Sequence, residues 1–175
     1  MKKIYFTFLI APFCLIADDH IAQGNSVDWE IEAYTTSAPD FIGNFATVIS
    51  ASGEVLREGS NGWTCLPFIA MPKMGFKTKN EAAPACADQN AMAWANAYLS
   101  QTEPKLENDG WIWMLHGDTG VDNFRPYSEG DKENTAPEDW IYSGSHLMLM
   151  PKDPASLEGV STDFTTGAPY VMMEG

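Results

Sequence analysis

Basic residues are what this chain has least of for its size. Ten Lys and Arg stand against 24 Asp and Glu in 175 residues, with three His. A formal net charge of −14 offers no electropositive surface to phosphate backbones or anionic headgroups, so nucleic acid is excluded as a partner. The plain meaning of the excess is a solvated acidic surface, and the sharper meaning is a surface that collects cations. Cysteine is rarer still in number, at three residues. No G-x-S-x-G elbow, phosphate loop or dinucleotide fingerprint occurs, so the commonest hydrolase and nucleotide-enzyme signatures are absent. Internal repeats and low-complexity tracts are missing too.

What is present begins with a leader. "MKKIYFTFLIAPFCLIA" places Lys2 and Lys3 ahead of an apolar run from Ile4 to Ile16, and Ala17 precedes Asp18-Asp19. A basic start, a short apolar stretch and a small residue before a polar one form a secretory signal peptide over residues 1–17. The run is too short to cross a membrane comfortably. Leu15 is larger than the residue usual three places before a cleavage point, which makes Ala22 a second position for it. "APFC" lacks the small residues expected before a lipidated cysteine, which weighs against lipidation of Cys14. Loss of the leader leaves eight bases against 24 acids, a net charge of about −16, and no segment for stable membrane insertion. The chain is expected in the periplasm or beyond.

Cys65 and Cys86 remain, an even number in an oxidising compartment, so a disulfide is expected and a catalytic thiol is not. A loop of that length stabilises a fold by roughly 3 kcal/mol. About 155 mature residues suffice for one domain with its own core.

The pattern along the chain predicts a lead-in and short helix over 18–44, then a single domain over 45–175. Ser26 or Asp28 is positioned to cap a helix running to about Ser37, and Pro39 discourages its continuation. Residues 46–49, 54–57 and 63–68 read as a three-stranded meander, with turns at Ser52-Gly53 and Asn61-Gly62. Residues 71–85 read as a polar loop. The clearest helix starts at Asp88, its N-cap, with Ala91, Met92, Ala95, Tyr98 and Leu99 on one apolar face and Trp94 and Tyr98 as an i,i+4 pair. "GWIWMLHGD" reads as a buried strand, followed by a long loop over 117–139. "HLMLMP" and "PYVMM" read as two more short strands. The fold class is α+β: a small, mostly antiparallel sheet against one or two helices, with one disulfide.

Five stretches carry a resemblance: "VLREGSNGWTCLP", "CADQNAMAWANAYLS", "GWIWMLHGDTGVDN", "WIYSGSHLMLMPKDP" and "TTGAPYVMM". In combination they resemble a family of uncharacterised exported bacterial proteins with NGWTC-x-P, C-x-D and W-x-x-x-G-x-H-x-M motifs. The resemblance spans roughly residues 45–173. It implies a shared fold and export, and no activity. The chain departs at "VDNFRPY", where the family has a serine-asparagine-threonine-aspartate-proline run. It also reaches Gly175 without the further strand, bearing a second histidine, that the family usually has. A site needing that histidine is expected to be lacking.

His146, Met148 and Met150 alternate with leucines, so in a strand the three share one face. Imidazole and thioethers suit copper(I). The plain alternative is a core strand, because methionine is an ordinary core filler. His116 ends another strand beside an acidic loop. With Asp118 or Asp122 and His146 it makes a candidate zinc or acid–base site, provided that the two strands are neighbours. Asp118, Asp122 and Glu129 fall at positions 1, 5 and 12 of an EF-hand-like spacing for calcium, but Gly120 and Asn123 occupy positions that should be a ligand and a glycine. Ser143 and Ser145 beside His146 do not make a triad. The six tryptophans (Trp29, Trp63, Trp94, Trp111, Trp113, Trp140) are expected in the core, with Trp111 and Trp113 on one strand face.

Two functions follow. One is an exported domain that binds a ligand, metal ion or protein partner through the 117–139 loop. The other is a periplasmic hydrolase or metal-dependent enzyme using His116, His146 and the loop carboxylates. Both require export. Mass analysis of the protein recovered from the periplasm is expected to show Asp18 as the first residue, or Gln23 where cleavage follows Ala22, and an intact Met1 would contradict the leader.

Overall fold

The computed structural model describes residues 25–124 and 132–172. The leader, Cys14, the lead-in to residue 24, Glu129 and Met173 lie outside the described residues. Three α-helices, a six-stranded sheet and a two-stranded sheet make an α+β fold.

Helix α1 (Val27–Thr35) begins where Ser26 Oγ accepts from the main-chain N–H of Trp29, which satisfies one of the free donors of the first turn. It ends before Pro39, and the chain re-enters a short helix, α2 (Asp40–Gly43). The sheet holds β1 (Thr47–Ile49), β2 (Val55–Arg57), β3 (Thr64–Pro67), β4 (Pro84–Ala87), β5 (Gly110–Met114) and, after the small pair β6 (Val121–Asp122) and β7 (Trp140–Ile141), β8 (His146–Met150). Its order is β2-β1-β3-β4-β5-β8. Helix α3 (Gln89–Leu99) connects β4 to β5.

The expected meander is overturned at β3. β1 pairs β2 antiparallel, but β3 lies on the other side of β1 and parallel to it. The segment after β2 passes the end of β1 instead of turning back. Ser60 N–H donates to Phe45 O, Asn61 Nδ2 donates to Ile42 O, and Thr47 N–H donates to Trp63 O. Gly59 permits the passage, since a Cβ there would stand 2.1 Å from Thr47 N. The expected polar loop over 71–85 is also overturned at its end. Pro84 and Ala85 belong to β4, a strand buried throughout and paired with both β3 and β5. Residues 169–172 of the expected last strand are in no strand; Val171 N–H donates to Ser161 O instead.

Each face of the sheet carries its own apolar layer. Val48, Cys65, Cys86 and the partly buried Trp113 pack with Ala33 and Tyr34 of α1 and Ile42 of α2. Ala85, Ala87, Ile112, Met114 and Met150 pack with Ala91, Met92 and Trp94 of α3. The inward side of α3 is therefore Ala91, Met92, Trp94 and Ala97, while Tyr98 and Leu99, expected inside, are exposed. Trp94 and Tyr98 do stack, at 5.4 Å between ring centroids. Asp88 caps α3 as expected, with Oδ1 accepting from Ala91 N–H. Its Oδ2 accepts from Trp111 N–H and so ties the helix start to β5.

The Cys65–Cys86 disulfide joins residues directly opposite each other on β3 and β4, 21 positions apart in sequence. Replacing both cysteines with alanine is expected to lower the unfolding free energy by about 3 kcal/mol. Urea unfolding of the double variant beside the wild type measures this; an unchanged midpoint would show that strand pairing alone closes the loop.

Candidate functional site

The two strands on which the histidine site depends are neighbours. β5 and β8 pair antiparallel over five residues, with Met114 opposite His146, Ile112 opposite Met148 and Gly110 opposite Met150. The expected alternation of β8 holds: Leu147 and Leu149 are exposed, and Met150 is buried. Met148 and Met150 pack into the apolar layer beneath α3. His146, at the strand's start, is partly buried, and its Nδ1 lies 2.6 Å from Gly144 O.

His116 turns to a different layer. β5 ends at Met114, and Leu115 N–H donates to Ser37 O just beyond α1. Gly117 then takes a positive φ of 63°, and a Cβ there would meet Ser143 O at 2.1 Å, so the turn and the 143–144 segment lie in contact only because residue 117 is glycine. The turn directs His116 toward the C-terminal end of α1, where Nε2 lies 2.7 Å from Thr36 Oγ1. Thr36 Oγ1 also lies 2.7 Å from Glu32 O as donor and receives Lys79 Nζ at 3.2 Å. Lys79 bridges to Glu32 Oε1 at 2.7 Å. A hydroxyl has one proton to give. With that proton on Glu32 O, His116 Nε2 must carry hydrogen and donate to Thr36, which leaves Nδ1 as the basic nitrogen.

Partial burial, and then the positive charge of Lys79, hold the His116 imidazole below its ordinary range, so it is neutral at neutral pH. Lys79 lowers Glu32 through their hydrogen bond and then their opposite charges. Glu32 and Lys79 are exposed enough that water screens the pair.

The loop carboxylates organise main chain. Asp118 Oδ1 accepts from the N–H groups of Gly120 (2.8 Å) and Ser143 (3.1 Å), and its own N–H donates to Ser143 O. Asp122 is buried; Oδ1 accepts from Phe124 N–H and Oδ2 from Thr135 Oγ1. These contacts hold β6 against β7, a pair the expected long loop did not include. Asn123 beside them is buried, and its side-chain oxygen has no hydrogen-bond partner among the described residues. Among the described residues, no group of three or more His, Cys, Asp or Glu is placed to hold a metal ion. Sequence reasoning missed Thr36, Lys79 and Glu32, none of which carries a local signal of its proximity to His116.

The β6–β7 hairpin instead presents aromatic surface. Phe124 and Tyr142 are 58% and 63% exposed. Lys132 Nζ lies 5.3 Å from the Tyr142 ring centroid and 5.8 Å from that of Trp140, and donates to Tyr142 Oη at 2.6 Å. That hydrogen bond is the main reason the Tyr142 hydroxyl is held below its usual range. The Trp140 and Tyr142 rings meet edge to face at 6.5 Å. Compared with protein-family models, curated proteins and solved structures, the chain has no match.

His116 gives the fold a pH dependence whose sign is set by its lowered value. The folded state favours the neutral ring, so this stabilisation is complete above the unfolded value of about 6.5 and is lost as pH falls through the lower folded value. The urea midpoint of the wild type is expected to fall between about pH 7.5 and about pH 5 by more than that of His116→Gln. Equal falls would remove the Thr36–His116 contact from the account.

Proposed function

We propose that the chain is an exported, non-catalytic domain that binds a partner through the face of its β6–β7 hairpin. The observation that carries this reading is the exposed Phe124 and Tyr142 beside the Lys132–Trp140 contact; Phe124 and Lys132 fall in the expected 117–139 loop, and Trp140 and Tyr142 just beyond it. Exposed rings beside the Lys132 ammonium suit a partner that offers an apolar group adjoining a carboxylate or similar acceptor. Export is supported by the leader pattern, by the resemblance to exported proteins and by the disulfide, which persists in oxidising compartments. No helix among the described residues is long and apolar enough to cross a membrane.

A second reading, a hydrolase centred on His116, draws on the neutral imidazole 2.7 Å from an exposed hydroxyl. The proton arrangement weighs against it. Thr36 donates to Glu32 O, and the basic nitrogen of His116 faces away from Thr36, so the hydroxyl is not activated.

A photoreactive phenylalanine at position 142, irradiated in bacteria exporting the protein, is expected to give one discrete adduct. That adduct should be lost when Phe124→Ala is added, and absent when the photoreactive residue replaces Ser52 on the β1–β2 turn. No adduct from position 142, together with p-nitrophenyl acetate hydrolysis by the purified protein that His116→Ala abolishes, would replace the binding reading with the hydrolase.

A further inference from the structure

The two edges of the main sheet are built differently. β2, at one end, has three residues, stands between Glu54 and Glu58, and pairs with β1 through a register shift. Shortness, flanking charge and irregular pairing are the usual protections of an exposed edge. β8, at the other end, has none of them. It runs five residues in unbroken register with β5, and its outer edge has no strand beside it among the described residues. No Asp, Glu, Lys or Arg occurs from Trp140 to Pro151.

Beside that edge lies an apolar patch on the sheet face that α1 covers only in part. Leu147 and Leu149 are 43% and 37% exposed, and Trp111, directly opposite Leu149 on β5, is 39% exposed. An unpaired strand edge with alternate apolar side chains fits one kind of partner: another extended chain, which supplies main-chain hydrogen bonds at the edge and apolar side chains over the patch.

We propose that the partner is a second copy of this chain, joined by antiparallel pairing of β8 with β8. Charge selects this occupant. At a net charge of −14 two copies repel over most of their surface, and β8 is an edge where no acid faces its counterpart. A basic partner would be drawn to the acidic surfaces instead of to this neutral strand. Geometry agrees, because the strand is self-complementary about a twofold axis at Met148. In that register Met148 faces Met148, Leu147 faces Leu149, and His146 faces Met150. Each joined row then reads Trp111, Leu149, Leu147, Trp113 across four strands, and the patch of one copy continues into that of the other. The result is a twelve-stranded sheet with two short, charged β2 edges.

Sedimentation of the full exported chain, over concentrations from nanomolar to hundreds of micromolar, is expected to show a doubling of mass. Added salt should shift the equilibrium toward the dimer by screening repulsion. Leu147→Glu replaces an exposed side chain and is expected to leave a folded monomer, judged by circular dichroism. Val55→Glu on the opposite edge should leave the dimer intact. Met148→Cys supplies a positive test, since directly opposed residues of paired strands lie within disulfide reach. Oxidation should link two copies through position 148 and do so far less through Leu147→Cys. A monomer at every concentration, or a dimer that survives Leu147→Glu without a link at 148, would overturn the proposal.

Discussion

β4 is covered on both faces, and its four side chains, Pro84, Ala85, Cys86 and Ala87, are small enough for a helix to lie close to each face. Cys86 faces α1, where Sγ lies 3.4 Å from Tyr34 O. Ala85 and Ala87 face α3. A larger residue at any of these positions would push a helix from the sheet, because an interior at crystal-like density does not absorb extra methylenes without strain. The disulfide belongs to the same constraint. It joins β4 to β3 within the layer and supplies cohesion where bulky side chains have no room.

From that strand the rest of the arrangement follows outward. β4 runs into Asp88, whose two carboxylate oxygens start α3 and grip β5 at Trp111. β5 is thereby fixed in register, and its far end meets the main chain just beyond α1 through Leu115 and Ser37. His116 therefore sits against Thr36, while His146, at the start of the paired strand, shares its face with residues packed under α3. One imidazole follows the end of β5 and the other starts the neighbouring β8, and they still serve different layers. Asp118 completes the frame by gripping Gly120 and Ser143, which hangs the β6–β7 hairpin from the same end of the sheet.

The parts legible in the sequence are those with local causes. Asp88 was readable as a cap, and Ser26 as one of two candidates beside Asp28, because free N–H groups at a helix start require an acceptor within three residues. The alternation of β8 was readable because strand period alone sets it. The Cys65–Cys86 pair followed from count and compartment. β4 escaped because Pro-Ala-Cys-Ala has neither β-branched residues nor alternation; its extended state is imposed by partners on both sides, which short windows of sequence do not contain. The strand at β3 was readable, but its place beside β1 escaped for a related reason. Asn61-Gly62 is a turn signal, but whether the chain turns back or crosses over is decided by Ile42 and Phe45, some twenty residues earlier. The partners of His116 lay further still, with Thr36 80 positions away. Spacing suggested carboxylates for that histidine, and folding supplied a threonine and a lysine.

The excess of acids over bases also sets which surfaces of this molecule are free to associate. Acids are spread over loops and helix starts, and any contact that buries one without a cation loses its hydration. Ten bases cannot neutralise 24 acids, and in the described structure Lys79 is already engaged by Glu32 and Lys132 by aromatic rings. Association is therefore cheapest where acids are absent or where a cation is already placed. The segment from Lys132 to Pro151 contains both kinds of surface, the hairpin face and the β8 edge. They lie next to each other in sequence because the chain crosses from β7 to β8 in four residues.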